Sequence, residues 1–176
     1  MLEFNNMIEP RQLVDNMNRI GVHFLIDEGS SESTDSLSPA ELMAGLAVQS
    51  DARLRLALIA VLLQRPDFAK EAHRALASMD KPQKLIFKLY YTAAYYLQKV
   101  YADQLQDVLS PYDRLQDYFS AELKIEKNKS ATVQLKQLAE RHKEITGLPL
   151  NWYGTYNSAA QRVITRLKKE RAWATA

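Results

Sequence analysis

The run Ala52 to Gln64 constrains this chain more than any other part of it. Leu54, Leu56, Leu58, Ile59, Val61, Leu62 and Leu63 leave almost no polar face on a helix. Such a helix has to be central, with other helices covering it on every side. Ser50-Asp51 supplies its N-cap and Pro66 its stop. Five glycines in 176 residues argue against a turn-dense β fold or a glycine-rich phosphate loop. With no cysteine, disulfides and thiolate metal sites are ruled out. The fold class expected is therefore all-α: seven or eight helices in an irregular bundle.

Other helices announce themselves by their ends. Pro10 to Ile20 carries Leu13, Val14, Met17 and Ile20 at helical spacing, with Gly21 placed to end it. Val22 to Ile26 reads as an isolated strand or the lead into a loop, and residues 29–37 as a mobile acidic loop. Ser38-Pro39-Ala40-Glu41 combines an N-cap, proline at the first helical position and the glutamate of a capping box. From Pro82 to about Leu109 neither glycine nor proline occurs, and five tyrosines (Tyr90, Tyr91, Tyr95, Tyr96, Tyr101) fall within twelve residues. This predicts a long central helix. Because those rings point all round it, Tyr90 and Tyr91 are expected to pack in the core with wetted hydroxyl tips. A further helix is expected after Ser110-Pro111, with Tyr112, Leu115, Tyr118, Phe119 and Leu123 on one face. Beyond the charged stretch 124–129, a helix with Val133, Leu135, Leu138, Ala139 and Ile145 inward ends at Gly147. An aromatic loop, Leu150 to Tyr156, then precedes the last helix, which runs to about Trp173. This divides the chain into a helical core domain, 1–123, and a basic C-terminal helical pair, 124–176.

The helix pairing with Asp51-x-Arg53 at a turn resembles HEAT repeats, but no second copy follows at a fixed period, so the chain is not placed among them. The order of a capped Pro-Ala-Glu-Leu helix, an arginine-leucine run and a tyrosine-rich helix is similar to that of small helical companions of minimal nucleotidyltransferases. No diagnostic motif accompanies that likeness.

The formal charge of +2 conceals a polarity. Residues 1–51 carry nine acidic side chains against Arg11 and Arg19, whereas residues 124–176 carry eleven basic side chains against four acidic. Arg162, Arg166 and Lys169 fall at i, i+4, i+7 with Lys168 alongside, so one face of the last helix is cationic. Together with Trp152, Tyr153 and Tyr156 they form the expected binding surface. The function expected first is non-enzymatic: an interaction or regulatory protein that presents this surface to another protein. Second comes a nucleic-acid binder, with arginines on phosphates and an aromatic ring on a base. Third comes a Mg²⁺-dependent enzyme using Asp103 and Asp107, spaced i, i+4, with Asp113 and Asp117, spaced likewise, as weak metal candidates. The three histidines, His23, His73 and His142, form no ligand pair, and no cofactor is expected. The longest apolar stretch, Leu56 to Leu63, is far short of the ~20 residues that span a bilayer, and no basic-then-apolar leader opens the chain. A cytoplasmic location away from membranes is the expectation.

Overall fold

The computed structural model describes residues 7–25 and 35–176. Among these, eight α-helices and one 3₁₀ segment account for all regular structure, and no strand occurs. They are α1 (Pro10–Arg19), α2 (Pro39–Ala47), α3 (Ala52–Gln64), the 3₁₀ turn Pro66–Glu71, α4 (Ala72–Ala77), α5 (Lys81–Val100), α6 (Ala102–Val108), α7 (Ala131–Thr146) and α8 (Trp152–Ala174). None is long and apolar enough to cross a membrane. The all-α irregular bundle read from the sequence is the architecture found.

Helix α3 lies at the centre. Ala57 to Leu63 are all fully buried, and α2, α5, α8 and the 3₁₀ turn pack around them. Helix α5 runs beside it and touches α2, α6, α7 and α8 as well. One hydrophobic core results, and it continues without a break past residue 124 through Leu135, Leu138, Ala160, Val163 and Ile164.

The helix ends follow the capping chemistry of the sequence. Ser38 Oγ accepts from Glu41 N at 3.2 Å while Glu41 accepts from Ser38 N at 2.8 Å. Asp80 and Gln83 form the same reciprocal pair at the start of α5. Asp51 accepts from Arg53 N to open α3. At the end of α1, Gly21 takes the left-handed φ of 81° that lets its own N–H reach Asn18 O and that of Val22 reach Met17 O. Residues 22–25 that follow are irregular chain, not a strand, and Ile26 lies outside the described residues. So do residues 29–34 of the expected acidic loop. Its end, at Asp35 and Leu37, is tied by backbone hydrogen bonds to the buried Asn16 side chain of α1.

Two expectations are corrected between residues 100 and 130. The long helix breaks at Tyr101 (φ −107°, ψ 23°), so that α6 turns away to lie against α8. Nor is there a helix after Pro111: residues 109–130 form an irregular strap of turns. Leu115, Phe119 and Leu123 are still buried by it and Tyr112 and Tyr118 half-buried, so the apolar pattern was read correctly and its period was not; Ile125, in the charged stretch, is buried as well. What replaces helical hydrogen bonds is a set of side chains on α5. Gln98 donates to Asp113 O at 2.8 Å and accepts from Leu115 N at 2.7 Å. Tyr91 OH donates to Gln116 O at 3.0 Å, and Tyr96 OH pairs with Ser120 Oγ at 2.6 Å. The tyrosine hydroxyls of this face are therefore bonded to the strap rather than to water. Val133, expected inward on α7, is 40% exposed.

Replacing Gln98 with Leu keeps the volume but strands one buried N–H and one carbonyl. The Gln98→Leu variant is expected to lose about 2–4 kcal/mol of stability in urea denaturation, with amide exchange accelerating first across residues 112–120.

Candidate functional site

Asn151 moves the start of the last helix. Its side chain accepts from Gly154 N at 2.9 Å, so α8 begins at Trp152 and the expected aromatic loop is helix from there on. The chain between α7 and α8 is then only Gly147 to Asn151, with Gly147 in the left-handed region at φ 67°. This early start turns two of the expected contact residues inward. Trp152 is 4% exposed and Tyr156 is 0% exposed. Trp152 stacks flat on the His142 ring, with centroids 3.5 Å apart, and stands edge-on to Tyr90. Tyr156 OH hydrogen-bonds His142 Nδ1. Neither ring is available to a partner. His142, one of the three histidines without a second imidazole, is a core residue that joins α7 to α8.

Burial pushes the His142 imidazole down to about 3, and the charge of Arg55 adds to the effect. Burial likewise raises the Tyr156 phenol far above its usual range. Both groups stay neutral at ordinary pH, as their apolar surroundings require.

The other candidates part company. Tyr153 is half-buried beneath the Lys136 ammonium, 5.4 Å from the ring centroid, in a cleft of about 900 Å³ between α7 and the 123–126 turn. Charges in that cleft largely cancel, since Lys124, Lys136, Arg141 and Lys143 face Glu126, Glu140 and Glu144, with Arg141 paired to Glu144 at 2.9 Å. Lys168 is exposed and lines no groove with the others. Arg162, Arg166 and Lys169 do converge. They are exposed on one face of α8 and line a groove of about 640 Å³ whose opposite wall is His23 and Phe24. The Arg162 guanidinium lies 4.2 Å over the Phe24 ring and donates to Phe24 O at 3.2 Å, which makes it part of the wall. Arg166 is bound to Glu170 at 3.1 Å on an exposed helix face, a pairing worth little to stability. Lys169 has no ion pair among the described residues.

Phe24 and Trp173, the phenylalanine and the tryptophan of the groove, were not read from the sequence. Trp173, 76% exposed, lies at i+11 from Arg162, so carrying the 3.6 period one step past Lys169 reaches it. Phe24 gave no such signal, because it is distant in the chain and reaches α8 only through the fold.

The four aspartates do not assemble. Asp103 and Asp107 are exposed on α6, whereas Asp113 and Asp117 lie on the strap, where spacing by four no longer means a shared face. Asp117 is occupied by Ser120 N at 3.1 Å. Among the described residues no three His, Asp or Glu side chains gather as a metal ion would need. Compared with family models, with curated proteins and with solved structures, the chain matches none.

The His142 environment has a pH signature. Its folded value lies below the ordinary histidine value of 6.5, so the unfolded chain binds the proton first as pH falls. Its contribution is complete above about pH 6.5 and drains away towards pH 3, at roughly 1.4 kcal/mol per pH unit. Glu41, Asp51 and Asp67 are also lowered, chiefly by hydrogen bonds to Ser38, Arg53 and Arg65 respectively, but carboxylates of this kind act at lower pH. Urea midpoints taken between pH 6.5 and 4.5 are expected to fall in the wild type and to stay nearly level in His142→Phe; equal slopes would refute the assignment.

Proposed function

We propose that this protein is a non-enzymatic interaction protein that binds another protein through the α8 groove. One observation supports the reading above all: three cations and an exposed tryptophan occupy successive turns of a single helix face and line one groove with His23 and Phe24. Arginine and tryptophan are the residue types that dominate protein–protein contact energy, and a tryptophan left 76% exposed is unusual without a partner to cover it. A nucleic acid would use the same cations. It has less support, because a recognition helix reads bases from its N-terminal turns, and the first turns of α8 bury Trp152 and Tyr156 in the core.

Nuclease-treated pull-downs separate the two. A protein bound at fixed stoichiometry should survive nuclease, and should be lost with Arg166→Ala/Lys169→Ala and with Trp173→Ala. These exposed positions are expected to leave the melting temperature nearly unchanged. Capture that vanishes with nuclease, or heparin retention that falls steeply with salt and depends on the same residues, would transfer the groove to nucleic acid.

A further inference from the structure

We infer that the exposed face of α7 docks a second copy of this chain, the two α7 helices lying antiparallel across a two-fold axis beside residues 141 and 142. This face shares no residue with the α8 groove, so the inference goes beyond the protein-docking reading above.

The chemistry of the face says what can cover it. Five large hydrophobic side chains are exposed among the described residues, and three of them stand at the two ends of α7: Val133 near its start, Leu148 and Leu150 just past its end. Between these ends Lys136, Glu140 and Lys143 are exposed and alternate in sign along the helix. Neither Glu140 nor Lys143 has an ion pair among the described residues, although Arg141 and Glu144 beside them are joined. A nucleic acid, or any partner of one strong charge, would meet repulsion as well as attraction on such a face. A partner whose charges alternate in the opposite order would not.

Two-fold symmetry makes the face its own complement. In an isologous antiparallel pair, positions equally far from the axis on opposite sides stand against each other, and every contact occurs twice. With the axis beside residues 141 and 142, Glu140 of each copy stands against Lys143 of the other. Val133 lies about 10 Å from Glu140 towards the start of the helix. The same distance past Lys143 of the other copy is the chain beyond its helix end, where Leu148 and Leu150 are exposed. Lys136 then comes to the C-terminal end of the opposite α7, where the helix dipole favours a cation. An axis at Glu140 would set that carboxylate against its own counterpart, and an axis one turn towards the start would set Val133 against Lys143 and Glu144. Ion pairs and apolar contacts therefore agree on one register. Exposed ion pairs orient more than they hold, so the product is a reversible dimer in the micromolar range.

Sedimentation velocity of the full chain, over a dilution series from submillimolar to micromolar, is expected to show a monomer–dimer equilibrium. Glu140→Lys alone and Lys143→Glu alone should each weaken it at least about ten-fold, because each sets like charges opposite one another twice. Made together, Glu140→Lys/Lys143→Glu should bring it back to within about three-fold of the wild type, a rescue that a merely structural role would not give. Val133→Ser/Leu150→Ser should weaken the dimer while leaving the melting temperature nearly unchanged. A monomer at every concentration would overturn the proposal. So would a dimer that the single reversals leave intact, or one that the double reversal fails to restore. A dimer lost with Trp173→Ala and kept by the α7 variants would move the contact to α8 and overturn it as well. Arg166→Ala/Lys169→Ala should dimerise like the wild type, so this proposal and the α8 reading fail independently.

Discussion

A helix with no polar face cannot lie at a surface, and this requirement on α3 organises the molecule. Ala57 to Leu63 are dry on all sides, so α2, α5 and α8 have to approach closely enough to exclude water from a complete cylinder. Helix α8 is therefore committed along one side, where Ala160, Val163 and Ile164 pack inward, and only the opposite side remains for polar residues. The cations of α8 stand where they do because the core took the other positions. The exposed stripe is a by-product of burial before it is anything functional.

The same economy explains the tyrosines. A strap without regular structure brings backbone groups to the core that would be expensive to leave unpaired. Tyr91 and Gln98 project from α5 to meet them, and Tyr96 meets the buried Ser120 hydroxyl beside them, so a ring of the size needed for packing also carries the polar atom needed by the strap. Against a regular helix those hydroxyls would have had fewer open carbonyls to bond.

The sequence showed which residues are buried more faithfully than it showed the form of the backbone that buries them. Caps at Ser38 and Asp51 were legible because each involves neighbours three residues apart or fewer. The strap was not, since Leu115, Phe119 and Leu123 recur at intervals of four and imitate a helix, while the hydrogen bonds that make a helix unnecessary come from α5. Trp152 was misplaced for a related reason: with Gly147 and Pro149 close by, the segment looks like a loop, and the decisive cap is a single side chain, Asn151. Arg162, Arg166 and Lys169 were found because periodicity alone identifies a shared helical face. Phe24 could be added only by the tertiary structure.

The break at Tyr101 has an effect well beyond the helix it ends. By turning aside, α6 comes to lie along α8, where the Arg171 guanidinium donates to Asp107 O and Tyr101 OH donates to Asn157 at 2.7 Å. On the other flank Arg162 holds the chain at Phe24. Gripped from both flanks, α8 cannot roll about its own axis, so its row of charges behaves as a fixed ruler.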